Sequence, residues 1–350
     1  MHRRKMHAII GDMEDNKTHI VDKMRDFHFD NIKAVLIFLV VLGHVFRNLG
    51  ANGDEYLVYK IIYSFHMPAF LFISGYFMKY NPKRFFAGLV PLYLLFQMIQ
   101  TLEHMLLAFA KGLNPMDVKM DLFTPRWTLW YLVVLMIYQL LIPLIDTDRK
   151  KHQLGFLVLS VVLGLTIGFT DDTDNFFALS RAFVFLPFFL LGFYERKNHY
   201  MVTYGTDKRP GLSKLISAAA GGVMIIFFWK LAGKIDPKDF FGSEDYADLN
   251  ALLWRLFGWL FACVWIMILL NWVPKKRIPF SRIGQNTMSI YLLHGVLLIL
   301  LEDSLLKTVI QNSIPALILL SVAITVGLSW GKLDQMLRKV RVPTKSSSLS

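Results

Sequence analysis

Lys33 and His44 stand eleven residues apart in the stretch DNIKAVLIFLVVLGHVFRNLG. At about 100° per residue, eleven steps return to within roughly 20° of the starting direction. The two side chains therefore share one face of a helix, about 16 Å apart along its axis. Every residue between them is apolar or glycine. An ionisable group at membrane depth is costly and normally faces a bundle interior or a wet cavity, so each is a candidate functional residue. His44 is the stronger candidate, because an imidazole takes and gives a proton near neutral pH. The chemistry this permits is general base catalysis, with a hydroxyl losing its proton as it attacks an electrophile.

A second histidine, His66, lies in YSFHMPAFLFISGYF on the next apolar segment. Counted from the corresponding helix ends, His44 is about 9 Å deep and His66 about 10 Å deep. A tight connection makes the two helices neighbours, so the histidines are expected to pair. Pro68 and Ser74-Gly75 are expected to interrupt the second helix and free backbone groups for a cavity. The competing reading, in which each histidine merely satisfies a carbonyl in the bundle, fits a lone histidine better than two at one depth. Toward the same end of the bundle fall Glu103-His104, Arg126, Trp127, Trp130, Arg181, Arg255 and His294. Tryptophans and arginines at helix ends are commonly interface anchors. Glu103 and His294 sit within spans and are harder to dismiss. At the other end, Lys79, Lys83 and Arg84 form a basic turn. Such a turn suits phosphate recognition and serves equally well as a membrane anchor.

The elements that must hold these residues are read from composition. The chain has 350 residues, 55% of them apolar, with a mean hydropathy of +0.44. That is too apolar for a soluble domain of this length and fits a polytopic membrane protein. About ten spans are expected near 31–50, 57–79, 85–110, 127–146, 153–170, 179–195, 212–232, 251–273, 285–302 and 312–331. The continuous runs exclude a transmembrane β-barrel, which would alternate. The fold class is thus an all-α membrane bundle. The net charge of +12 is not that of a nucleic-acid binder, because its placement follows the membrane. With a cytoplasmic N-terminus, 27 of the 38 lysines and arginines fall inside and the acidic loop DDTDN (171–175) falls outside. Both termini are therefore expected in the cytoplasm. The basic loops would also meet anionic membrane lipid.

Residues 1–26 read as a flexible cytoplasmic arm, 27–335 as one integral-membrane domain and 336–350 as a cytoplasmic tail. The single cysteine, Cys263, excludes a disulfide framework and a cysteine zinc site within the chain. No metal is expected. Gly-rich phosphate loops, HExxH and GxSxG are all missing from the sequence.

Several strings in order resemble the integral-membrane acyltransferase 3 family. Lys33-x10-His44 is similar to its Arg/Lys-x10-His motif, and FHMPAFLFISGYF to its second helix. KRFFAGLVPLY resembles its basic turn and third helix, and TPRWTLWYLVVLMIYQLLIPLI its tryptophan-marked fourth. FLPFFLLGFY and IGQNTMSIYLLHGVLL resemble later spans. The FHMP and YLLH strings are most similar to the fucose 4-O-acetylase-like branch. The resemblance covers roughly residues 27–335. It implies transfer of an acyl group, often acetyl, from cytoplasmic acyl-CoA to a sugar hydroxyl at a bacterial cell membrane. His44 would be the essential histidine, with Lys33 its partner; by its placement, His66 or a cavity tyrosine is expected to donate to the thioester carbonyl as negative charge develops. Lys79, Lys83 and Arg84 would meet acyl-CoA. Glu103, Arg126, Trp130, Arg181 and His294 would face the carbohydrate acceptor. Lys33 replaces the commoner arginine and lacks its bidentate fork. Some family members carry a fused extracytoplasmic esterase-like domain; none is seen here, so a separate extracytoplasmic transferase is a conceivable partner. The rival class is a transporter or flippase, which also lines its path with buried ionisable groups. The lack of an internal repeat speaks against it.

Overall fold

The structure is a computed structural model that describes residues 26–51, 56–170, 176–199, 210–231, 233–246 and 248–340. Among them are thirteen α-helices and no strand, so the chain is an all-α, polytopic membrane bundle. The helices are α1 (Phe27–Leu49), α2 (Leu57–Phe77), α3 (Pro82–Ala110), α4 (Trp130–Ile145), α5 (Lys150–Thr166), α6 (Leu179–Asn198) and α7 (Pro210–Lys230). They continue as α8 (Leu249–Trp272), α9 (Ser281–Gln285), α10 (Thr287–Glu302), α11 (Leu305–Ile310), α12 (Ile314–Leu328) and α13 (Gly331–Val340).

Each of the ten expected spans corresponds to a helix, but not each is a simple span. Among the described residues, seven helices are long and apolar enough to cross a membrane: α1 to α5, α7 and α8, with α4 counted from Trp127 and α5 to Phe169. α6 has 20 residues but carries Arg181 near its start and Glu195, Arg196 and Lys197 near its end. α10 has 16 residues. α12 and α13 qualify only as a pair bent by 59°. α13 also runs through the expected boundary at residue 335. Residues 1–25 of the expected arm, the acidic loop 171–175 and residues 341–350 of the tail lie outside the described residues.

α1 and α2 form the centre. Of the most apolar stretch of each, 72% is buried, against 17% in α7, which is left to face lipid. Asp26 starts α1 by accepting a hydrogen bond from the His28 amide at 3.0 Å, which satisfies one of the free first-turn donors. α2 runs unbroken through Pro68, contrary to the expected interruption. Gly75 has a different function from the expected one as well. A Cβ there would sit 2.0 Å from the Phe189 carbonyl oxygen, and one at Gly192 of α6 would sit 1.8 Å from that of Phe72. The glycines thus let the α2 and α6 backbones touch, as small residues do where helices meet in a membrane. Ser74 bonds the Phe70 carbonyl and the Tyr131 hydroxyl, tying α2 to α4.

The bundle has one basic end. Phe29 of α1 stacks on Tyr76 at the end of α2, and Arg196 at the end of α6 donates to the Met78 carbonyl at 3.0 Å. Asn31 donates to the Pro274 carbonyl just past α8, and Asn286 to the Ser329 carbonyl just past α12. Lys33, Lys79, Arg196, Lys197, Lys275, Lys276, Arg282 and Lys332 therefore belong to this end. The opposite end carries Arg47, Arg126, Arg181 and the segment 233–246.

Candidate active site

His44 is brought into a cavity of about 160 Å³ near the less basic end of the bundle. On α1 the cavity is lined by Ile37, Val40, His44 and Arg47. Their spacing of three and four residues is that of one helix face. Lys33 lies four residues before Ile37 on the same stripe, one turn beyond the cavity toward the basic end. Its Nζ is 2.8 Å from Asp30 Oδ1 and 5.4 Å from the centre of the Phe77 ring. The expected face-sharing of Lys33 and His44 holds, but Lys33 does not line the cavity.

α2 adds Tyr63, His66 and Phe70 to the wall. The expected pairing of His44 with His66 takes an indirect form, because Tyr63 stands between them. The Tyr63 hydroxyl is 2.8 Å from His44 Nδ1, and the Tyr63 ring is 4.8 Å from that of His66. The histidine packed directly on His44 is His294 of α10, at 5.3 Å between ring centres. Trp127 completes the group, 4.9 Å from His44 and 6.2 Å from His294. It is held at φ +37°, a left-handed conformation that costs a bulky residue about 1–3 kcal/mol. The surrounding structure supplies that energy to keep the indole against both imidazoles.

Hydrogen bonds fix the tautomers of two histidines. His66 Nδ1 is 2.7 Å from the Ile62 carbonyl, and His294 Nδ1 is 2.9 Å from that of Ile290. A carbonyl only accepts, so in the neutral rings both Nδ1 atoms carry the proton and both Nε2 atoms are acceptors. Neither neutral ring can then donate to a developing negative charge, a role that suits His66 poorly. Thr128 also lines the cavity, but its hydroxyl is buried beside Gly295 and Gln100, with no hydrogen-bond partner among the described residues. Its own carbonyl is held by the Tyr291 hydroxyl.

Of the other expected residues, Trp130 and Arg181 line the cavity, with the Arg181 guanidinium 5.1 Å from the centre of the Trp130 ring. Arg181 Nε donates to the Phe241 carbonyl at 3.3 Å, and Ser180 donates to the Gly242 carbonyl at 2.8 Å. Phe240 and Phe241, which share this cavity, are thereby held over it. Arg126 lies outside the lining and braces a loop, donating to Thr101 at 2.9 Å and to the Lys119 carbonyl at 2.8 Å. Glu103 also lies outside the lining, and both its buried oxygens lack partners among the described residues. Gln100, one turn earlier, is in the same condition. Lys79 and Lys83 are exposed at the basic end, away from the cavity; Arg84 starts the same helix turn. Among the described residues, no group of three or more His, Cys, Asp or Glu side chains is arranged to hold a metal ion.

The residues missed at the sequence level are Tyr63, Arg47 and Thr128. A signal existed for the first two: each stands three residues from a histidine already singled out, on the same helix face.

The chain is 29% identical to nodulation protein NolL of Mesorhizobium japonicum over 184 residues, covering 48% of this chain and 47% of that one. It is 32% identical to nodulation protein NolL of Sinorhizobium fredii over 122 residues, covering 30% of this chain and 33% of the relative. The chain thus spans about half the length of the first of these curated relatives and a third of the second. No solved structure matches it. The profile of the acyltransferase 3 family, described as an acyltransferase domain, matches residues 27–333, from the start of α1 into α13. With its histidine cavity inside that span, the chain belongs to the acyltransferase 3 family.

Proposed function

We propose that this protein is a membrane O-acyltransferase that moves a short acyl group, acetyl by preference, from cytoplasmic acyl-CoA to a hydroxyl of a cell-envelope or exported sugar. The observation that carries the reading is His44. It lines the cavity with Nδ1 engaged by Tyr63, which leaves Nε2 as the nitrogen for a reacting hydroxyl. The hydroxyl oxygen attacks the thioester carbonyl carbon while its proton passes to His44. The carbonyl oxygen takes up negative charge, which a hydrogen-bond donor in the cavity wall would have to meet. Collapse of this intermediate breaks the carbon–sulfur bond, and the departing thiolate recovers the proton from His44. The step is balanced without an external acid, base or metal.

Cavity size supports a short acyl chain. About 160 Å³ compares with an apolar cavity of roughly 150 Å³ that admits benzene, and is too small for a long fatty chain. Lys79, Lys83 and Arg84 at the basic end suit the phosphates of CoA, whose extended arm would follow the Lys33–His44 stripe inward. The acceptor would come from the other end, past Trp130 and Arg181; Glu103, Arg126 and His294 do not line the cavity. We assign the basic end to the cytoplasm and the protein to the bacterial cytoplasmic membrane, because most cations collect at that end.

Purified protein in lipid nanodiscs, given acetyl-CoA labelled in the acetyl group and envelope polysaccharide, tests the reading. Labelled polysaccharide with release of free CoA thiol is expected. Solute uptake into proteoliposomes without CoA consumption would indicate a transporter instead.

A further inference from the structure

Two histidines, His44 and His66, line this cavity and a third, His294, packs on His44; His66 and His294 have their tautomers fixed by backbone carbonyls. His44 differs. Its Nδ1 faces a phenol, which can donate or accept, so nothing in the backbone sets which ring nitrogen carries the proton. That choice decides whether His44 can act. If Tyr63 donates, Nε2 carries the hydrogen and cannot take another proton from a hydroxyl. If Tyr63 accepts, Nε2 presents a lone pair.

We propose that Tyr63 is a positioning residue for acyl transfer: its oxygen accepts from His44 Nδ1–H and holds His44 as the tautomer whose Nε2 lone pair takes the acceptor's proton. The inference rests on the acyl-transfer reading above. The proton moves from the acceptor hydroxyl to Nε2, the Nδ1–H bond stays intact, and the resulting imidazolium keeps its hydrogen bond to Tyr63. The proton then leaves with the thiolate.

The packing is built for this contact. Tyr63 and His44 are 8% and 9% exposed, so the bond is largely shielded from solvent. The Tyr63 ring is also wedged against Tyr59, at 4.2 Å between centres, and His66. Gly43, immediately before His44, makes room for it: a Cβ there would sit 2.8 Å from Tyr63 Cε2 and 3.3 Å from Ile62 Cγ2. A larger residue at position 43 would displace the ring that orients the neighbouring imidazole.

The test uses Tyr63→Phe, which keeps the ring and its packing and removes only the hydroxyl. Wild-type and variant protein are purified with ¹⁵N-labelled histidine, and His44 is assigned by its loss in His44→Gln. The wild type should show His44 protonated at Nδ1, and the variant a shift toward the Nε2–H form. The turnover number should fall about 10-fold or more, with the acyl-CoA KM changed less than two-fold, since an orienting partner acts on the reacting tautomer and not on donor binding. Gly43→Ala should reproduce both effects to a smaller degree. An Nε2–H tautomer in the wild type, or an unchanged tautomer and turnover in a well-folded Tyr63→Phe, would overturn the proposal. Absence of acyl transfer by the wild type would instead defeat the functional reading, while the nitrogen spectra would still decide the role of Tyr63.

Discussion

Removing the base with His44→Ala should lower acyl transfer by about 10²–10⁴-fold while expression and insertion persist. A purified variant that retains near-normal turnover would exclude His44 as the base. His66 is joined to His44 through the Tyr63 ring, so the two should couple. In a cycle of wild type, His66→Ala, His44→Gln and the double variant, losing the second histidine should cost little once the first is gone. Clean additivity would mean that His66 only satisfies the Ile62 carbonyl.

At the scale of elements, the site depends on a crossing with no functional group in it. α2 carries Tyr63 and His66, α6 carries Arg181, and the two are locked by the Gly75 and Gly192 contacts. Gly192→Val forces a side chain into backbone that lies closer than any rotamer change can relieve. It should cost more than the usual overpacking penalty of about 1–3 kcal/mol and remove the monodisperse species in size-exclusion chromatography. The short turn Pro237–Phe240 over the cavity gives a pH-dependent counterpart. Asp239 in this turn is pushed up to about 6 by burial, with Asp236 and Asp248 raising it further and Arg255 opposing them. A carboxyl whose folded value lies above its unfolded value favours folding most when protonated. The contribution is present below the unfolded value near 3.8 and is lost as pH rises through about 6. Amide exchange in 237–246 should therefore quicken relative to the bundle, beyond the intrinsic base-catalysed trend, between about pH 4 and 6. Asp239→Asn should abolish that excess. An excess that persists in the variant would assign the effect to another group.

For the whole molecule, the two ends should face different compartments and serve different substrates. In a background with Cys263 replaced by alanine, a cysteine at Asp121 should react with an impermeant thiol reagent on intact cells, and one at Lys150 should not. The reverse pattern would invert the map and bring the cavity nearer the cytoplasm. The double change Lys83→Ala and Arg84→Ala should raise the acyl-CoA KM several-fold more than it lowers turnover at saturation. An unchanged KM in a correctly inserted variant would remove the basic turn from the donor site.

Much of this was legible from residue order alone, for a physical reason. A membrane forces each crossing segment to be apolar and helical, so the ten runs and their basic ends appear in the sequence directly. The same force makes any ionisable residue inside a run conspicuous, which is how His44, His66 and His294 stand out. Helical periodicity put Lys33 and His44 on one stripe, and it holds within a single element. Which helix faces which is set by contacts between elements, and no periodicity within one helix reports it. Only the tertiary structure decided that His294 and not His66 packs on His44, and that Tyr63 stands between the two histidines of α1 and α2. It also decided that Arg126 braces a loop, and that Gly75 is a crossing point instead of a break. Each of these turns on one or two ångströms of approach between distant segments, a quantity fixed by how side chains of different helices fill the same space.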